Sequence, residues 1–464
     1  MNVDVYVARR RRLMDRVKEG LLLIPGATPQ PLNIPINTVF RQSSHILYLT
    51  GCHEPGASLL GDPDTGRWEL FVEVPPEGDE IWHGKRPGAA ELRDVLGVDE
   101  VYDLSQLESR VNALRRGRPL LAMPAPDGDQ ERLQWKLGAR QFRSGRLPRE
   151  FPHPLADALI DLRMTKDAGE IEELQKAANI TREVHIKVMR ATRPGQSEAH
   201  IRALVTSEFI LAGGRPAYDP IVTVRGDILH AKASSNRLEV GQLLLVDVGI
   251  EVPSGYCADV TRTLPVSGKF SPEQRDLYQV VWEAQRHAIS LTRPGVRYRD
   301  LHVATCVKLA EGLVALGILK GNATECVEEN AHALFFPHGV GHLLGLDVHD
   351  LEDLGDRAGY APGRTRSPHF GQAWLRLDRD LEPGMVVTIE PGLYFIEALL
   401  RDPEQEALFR TRIRWEKARS FLGVGGIRIE DDVWVSPGGP VVLTEGTPRT
   451  VAEVEAVMGQ GELV

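Results

Sequence analysis

The chain has 464 residues, enough for two or three domains and a large core. Apolar residues make up 42% and charged residues 26%, the composition of a globular chain rather than a disordered or fibrous one. A net charge of −10 gives no reason to expect nucleic acid or an anionic membrane as partner, and no apolar run approaches the roughly 20 residues of a membrane span.

The basic run at 9–12 has no apolar stretch beside it, so a solvated helix face is expected there and no signal peptide. Residues 1–163 read as a separate α/β domain. Apolar strand candidates lie at 21–24, 46–49, 68–74 and 120–123, with helix-like segments at 89–96, 104–114 and 130–141 between them. Trp82, in IWHGKRPG, is read as a packing residue. The stretch 145–154, broken by Pro148 and Pro152, is expected as a surface loop near the domain boundary. Cys52, Cys257, Cys306 and Cys326 are scattered with no C-x-x-C pair, which points to reduced thiols and the cytoplasm.

Residues 164–464 carry an internal echo. Thr192-Arg193-Pro194-Gly195 recurs as Thr292-Arg293-Pro294-Gly295, and LEVGQLLLVDVG (238–249) recurs as LEPGMVVTIEPG (381–392). Asp247 and Glu390 hold the same place in the two copies. Helices are expected over 168–190 and from Ser271 to about Leu291. At the second, serine caps, proline takes the first helical position and Gln274 completes a capping box. Two long connections, 351–380 and 396–423, follow later, the second charged enough to be a surface excursion with a helix of its own.

Four blocks carry chemistry. The stretch 238–264 reads as a hairpin, and folding it about residues 253–254 sets Asp247 opposite Asp259 or within a residue of it. Cross-strand neighbours are about 4.5–5.5 Å apart at Cβ, so the two acids repel unless a cation lies between them. The second block, FFPHGVGHLLGLDVHD (335–350), holds three of the 14 histidines in sixteen residues, where an even spread gives about half of one. That density is poorly explained as core. Glu390 in TIEPG is the third block. In the fourth, GIRIEDD (426–432), β-alternation turns Arg428 and Glu430 to one face. Asp247, Asp259, His342, Glu390 and Glu430 together are four carboxylates and one imidazole. Two divalent cations would compensate them, Mn²⁺ first and Zn²⁺, Co²⁺ or Fe²⁺ next, as suits an oxygen-rich set with one nitrogen. Two such ions about 3.5–4 Å apart are machinery for hydrolysis.

The order Asp, Asp, His, Glu, Glu in VDVG, ADVTRT, PHGVGH, IEPG and RIEDD resembles the proline-directed metallopeptidases of the pita-bread fold, the group of aminopeptidase P and prolidase. FRQSSHILYLTG (40–51) and EIWHGKRPG (80–88) resemble the smaller N-terminal domain of that group. The resemblance implies an α/β N-terminal domain (1–163) followed by an α+β pita-bread catalytic domain (164–464) with internal pseudo-twofold duplication. It implies that Asp247, Asp259, His342, Glu390 and Glu430 are the dimetal ligands. It further implies that His230 contacts substrate, that His338 and His349 position it and stabilise the tetrahedral intermediate, and that Glu390 shuttles the proton. Arg428 and Arg376 would hold the far end of the substrate, and Tyr218 would line the pocket. The implied activity is release of the N-terminal residue from peptides with proline second. A dipeptidase that accepts only Xaa-Pro is the alternative, and a non-catalytic binding protein the remote one. The expected assembly is a homodimer or homotetramer. One departure stands out: Asp247 and Asp259 are one residue further apart than is usual in the group, and the extra residue is placed in the 252–255 turn.

Overall fold

The computed structural model describes residues 1–33, 36–140, 142–145, 147–232 and 235–459. They form two compact units, Met1–Met164 with Leu351–Ala358, and Thr165–Asp350 with Gly359–Val464.

In the first unit, five strands run in the order Glu100–Asp103, Arg67–Val72, Ser58–Asp62, Leu21–Pro25, Leu120–Ala122. The inner three pair antiparallel and each outer strand joins in parallel. Leu21, Leu23, Leu60, Phe71 and Leu120 pack with Leu107 and Val111 of the helix Leu107–Arg115 in one core. The central strand Ser58–Asp62 was not expected, because its five residues lie among turn-forming glycine and aspartate. The run 46–49, expected as a strand, lies in the helix Ser44–Thr50, which ends on Gly51 in the left-handed conformation. A short buried apolar run has no period to tell strand from helix.

The basic run at 9–12 also departs from expectation. It lies on the helix Val3–Arg16, where Arg11 and Arg12 are exposed but Arg9 and Arg10 are buried. Arg9 donates to the Tyr48 carbonyl at 3.1 Å, and Arg10 donates to the carbonyls of Leu49, Leu96 and Gly97. Two helix C-termini thus find their missing donors in arginine side chains. Trp82, expected to pack, is 82% exposed on the short helix Glu80–His83. The segments expected at 130–141 and 145–154 each include a residue outside the described set, Gln141 and Arg146. In the first, the helix Gly128–Lys136 covers residues 130–136.

The second unit repeats itself in its hydrogen bonds as well as its sequence. Gly195 N–H donates to the Leu238 carbonyl at 2.7 Å, and Gly295 N–H to that of Leu381 at 2.8 Å. Leu238 N–H returns to Gln196 at 2.9 Å, as Leu381 N–H does to Val296 at 2.8 Å. Glu198 N–H meets the Asn236 carbonyl at 3.0 Å, and Tyr298 N–H meets that of Arg379 at 2.9 Å. Each T-R-P-G turn is therefore latched to the L-E-x-G start of its own copy's strand. One copy forms the sheet Val260–Pro265, Leu243–Val248, Ile221–Thr223. The other forms Val386–Ile389, Asp431–Ser436, Gly439–Val442. The helices Ala168–Ala191 and Pro272–Leu291 both begin with capping boxes, at Asp167/Glu170 and Ser271/Gln274. The 396–423 excursion contains three short helices, Glu397–Leu400, Pro403–Leu408 and Trp415–Arg419, where one was expected.

Candidate metal centre

The strand Leu243–Val248 carries Asp247, and Asp259 immediately precedes the strand Val260–Pro265. Their register pairs Asp247 with Thr261, two residues from the expected partner. It runs without a shift from Leu243↔Pro265 to Val248↔Val260 and continues as Ala258 N–H to the Ile250 carbonyl and Val252 N–H to that of Tyr256. The extra residue therefore sits in the turn, centred on Ser254, and Asp259 is not displaced by a bulge. A diagonal pair lies on one face of the sheet, so both acids point the same way. Gly249 lies against the return strand so closely that a Cβ there would fall 1.7 Å from the Ala258 oxygen.

His342, from the glycine-rich stretch, faces these acids. Its Nδ1 is 3.0 Å from the Leu343 carbonyl, and since a carbonyl only accepts, Nδ1 carries the proton. Its Nε2 faces Asp259 Oδ2, 3.4 Å away, and Glu390 Oε1, 3.8 Å away, and against the lowering effect of burial these carboxylates raise the pKa of the ring. Gly341 permits this approach: a Cβ there would lie 2.1 Å from the Thr388 oxygen. Glu390 follows the strand Val386–Ile389, whose partner strand begins at Asp431, directly after Glu430. Glu430 N–H donates to the Thr261 carbonyl at 3.0 Å, so the two copies join at the site. Ligand atoms of Asp259, His342 and Glu430 all lie within 4.8 Å of one another.

Burial, with the neighbouring carboxylates, raises the pKa values of Asp247 and Glu430 and lifts that of Glu390 to about 7. The Tyr218 hydroxyl is 2.5 Å from both Asp247 Oδ1 and Asp259 Oδ1. A phenol has one proton, so two such contacts require another proton on the acids. Three buried carboxyls and the half-buried one of Glu390 around one imidazole are a donor set that fits divalent cations, which would replace those protons.

Three of the expected substrate groups are otherwise engaged. Arg428 is buried and uses all three guanidinium nitrogens: Nε donates to Thr261 Oγ1 at 3.1 Å, Nη1 to the Tyr394 hydroxyl at 3.0 Å and Nη2 to Asp247 Oδ2 at 2.5 Å. Thr261 Oγ1 in turn donates to Glu430 Oε2 at 2.7 Å. Arg428 thus orients two candidate ligands. Tyr218, bridging two acids, does the same. His338 donates from Nδ1 to the Gly339 carbonyl at 2.8 Å, and its Nε2 accepts from Tyr394 at 2.8 Å. Both ring nitrogens are used, which leaves no N–H for an oxyanion, and burial holds its pKa near 3.

His349 lies beside the candidate ligand His342. Its ring lies edge-on to that of His342, with centroids 4.4 Å apart, and the residue is exposed. Desolvation, then the charges of His342, Arg376 and His230, push its pKa down to about 2. His230 is exposed, and its pKa is lowered by desolvation, then by Arg428 and Arg376. Arg376 therefore stands close enough to both histidines for its charge to be felt. Sequence reasoning missed Tyr394, Thr261 and Asp432. The buried Asp432 accepts the Asp259 N–H at 3.2 Å. All three lie within five residues of an expected ligand, and that proximity was the only signal.

Comparison with known proteins agrees with this geometry. The model of metallopeptidase family M24 matches residues 172–437, and that of the aminopeptidase P N-terminal domain matches residues 6–121. The Xaa-Pro aminopeptidase of Escherichia coli (strain K12) is 33% identical over 464 residues, covering 98% of this chain and 97% of its own. The Xaa-Pro dipeptidase of Homo sapiens is 31% identical over 473 residues, covering 98% and 93%. An aminopeptidase PepP structure from Pseudomonas aeruginosa is similar with a TM-score of 0.79 at 32% identity, over 99% of this chain and 98% of that one.

Proposed function

This chain belongs to metallopeptidase family M24, and on that premise we propose that it is an Xaa-Pro aminopeptidase holding two divalent ions. The observation that carries the reading is the convergence of the buried Asp247, Asp259, His342 and Glu430 with the half-buried Glu390 from both copies of the duplicated unit. Mn²⁺ is our first choice for the ions, with Zn²⁺, Co²⁺ and Fe²⁺ suited to the same donors. Such ions, when bound, lower the pKa of a water and polarise the scissile carbonyl.

Glu390, at the open side of the cluster with its side chain 17% exposed, takes the proton of the attacking water and passes it to the leaving proline nitrogen. His349 donates to the carbonyl oxygen as negative charge develops there. An Xaa–Pro bond has no N–H and a φ fixed near −65°, so a strand-like grip on the substrate fails and a dedicated site is needed. The peptide bond taken is the trans isomer. We also take the enzyme to be a cytoplasmic homodimer or homotetramer. Its four cysteines are free and buried, which suits a reducing compartment.

The engagement of Arg428 with Thr261, Tyr394 and Asp247 favours the aminopeptidase, because it turns that guanidinium toward the candidate ligands and not toward a dipeptide's carboxylate. Arg376 also keeps a second reading, Xaa-Pro dipeptidase, in play, since its charge stands beside His230 and His349 where such a carboxylate would bind. Digestion of Xaa-Pro and Xaa-Pro-Yaa side by side, with and without a blocked α-amine, separates the two. We expect cleavage of the free-amine tripeptide, lost in excess chelator and restored by Mn²⁺. Brisk cleavage of Xaa-Pro with the tripeptide untouched assigns the dipeptidase, and full activity of metal-stripped enzyme sinks both.

A further inference from the structure

In each copy of the duplicated unit, the first residue of the second helix turns its side chain back onto the main chain of its own copy. In the second copy the residue is Tyr298, whose hydroxyl donates to the Thr388 carbonyl at 2.9 Å. Thr388 is itself bonded to the main chain of His342, N–H to carbonyl at 2.9 Å and Oγ1 to N–H at 3.1 Å. In the first copy the matching residue is Glu198, at the start of the helix Glu198–Leu211 and 1% exposed. Its Oε1 accepts from Val224 N–H at 2.8 Å and from Asn236 Nδ2 at 3.3 Å, while Oε2 accepts from Asn236 N–H at 3.3 Å.

Val224 and Asn236 bracket the segment that carries His230. One carbonyl, as in the second copy, needs a single hydroxyl. Two separated N–H groups need an acceptor with two oxygens, and a carboxylate supplies it. The charge is met by those donors and by the positive end of the helix dipole. The same segment is held on its flank by Gly226, where a Cβ would lie 2.7 Å from the Gly426 oxygen on the strand Gly426–Arg428.

We propose that Glu198 is a positioning residue that ties Val224 to Asn236, on either side of His230 in the chain, and so fixes where His230 stands. Its effect on catalysis rests on the reading of His230 as a substrate contact.

The test uses full-length, Mn²⁺-loaded enzyme and the variants Glu198→Ala, Glu198→Gln, His230→Ala and the double variant Glu198→Ala/His230→Ala. Hydrogen exchange of Val224 and Asn236 should rise at least tenfold in Glu198→Ala, with exchange around Thr388 and Mn²⁺ affinity unchanged. Its kcat/KM on Xaa-Pro-Yaa should fall about tenfold to a hundredfold. In the His230→Ala background the same substitution should cost less than threefold, because residues acting through one another are not additive whereas a merely structural loss multiplies. Glu198→Gln keeps one acceptor but turns an NH₂ toward a donor, so its effects should be intermediate. It also serves if the alanine variant fails to fold. Unchanged exchange overturns the clamp, and losses that multiply in the double variant overturn its action through His230. A His230→Ala enzyme with full kcat/KM, alongside a loosened segment in Glu198→Ala, refutes the reading of His230 and leaves the clamp standing.

Discussion

At the scale of residues, Arg428 decides how the site is held together. Its guanidinium ties Asp247 directly and Glu430 through Thr261, while Tyr394 links it to His338. Such outer partners commonly tune metal affinity tenfold to a hundredfold. Arg428→Lys replaces a planar fork by a point charge that cannot reach three acceptors. We expect Mn²⁺ affinity, measured by calorimetry, to fall by about that factor, with KM at saturating metal near the wild-type value. A raised KM with unchanged metal affinity would instead put Arg428 at the substrate. The acids themselves were legible in the sequence, because a set of like charges in short motifs demands a common counterion. The occupation of Arg428 was not, because a sequence displays a donor's charge but not which acceptors reach it first.

At the scale of elements, register and helix contacts govern the site. The hairpin's turn could be located only approximately from Pro253 to Gly255, and one residue of error moved the expected partner of Asp247 from Thr261 toward Asp259. What preserved the inference was the period of two, since residues two apart share a face. Gly249→Ala tests this arrangement, for its Cβ would enter the Ala258 carbonyl. We expect about 1–3 kcal/mol of lost stability in urea, together with weaker Mn²⁺ binding. Wild-type values of both would show that the strands part without cost. The helix Ala168–Ala191 meets the return strand through His185, whose Nε2 lies 3.0 Å from the Val260 carbonyl. Burial, then the charge of Arg262, pushes its pKa down to about 3. Unfolded, the imidazole titrates near 6.5, so between about pH 3 and 6.5 the unfolded chain binds the extra proton. The stability from keeping it neutral is whole above pH 6.5 and is lost as pH falls, by about 1.4 kcal/mol per pH unit in that window. His185→Gln keeps a donor for Val260 and has no proton to gain. Its stability between pH 6 and 4 should therefore fall less steeply than the wild type's by one proton. Parallel slopes would mean that His185 is already charged in the fold.

At the scale of the whole molecule, the duplication was visible in two repeated phrases, T-R-P-G and L-E-x-G, because turns and strand starts need specific residues. Their mutual latching was not visible, since main-chain hydrogen bonds leave no trace in side-chain identity. Nor was the placement of Leu351–Ala358, which follows His349 and Asp350 in sequence yet belongs to the first unit. It is stitched there. Leu351 and Leu354 are fully buried, and Asp353 lies 3.2 Å from His45. Arg357 donates to Arg149 O at 2.9 Å and Pro148 O at 3.2 Å, with further bonds to Phe151 O and Asp157. Unfolding the first unit therefore frees a strand of chain whose neighbour is the histidine proposed to stabilise the transition state. Loss of activity should track loss of the first unit's structure, even though none of the proposed ligands lies in it. Arg357→Ala removes one side chain with several carbonyl partners, and we expect it to cost about 1–3 kcal/mol. Activity at 25 °C should be unchanged, while the melting temperature and the temperature of half-inactivation fall together. A variant whose first unit melts early while activity survives to the wild-type temperature would show that the 351–358 segment transmits nothing to His349.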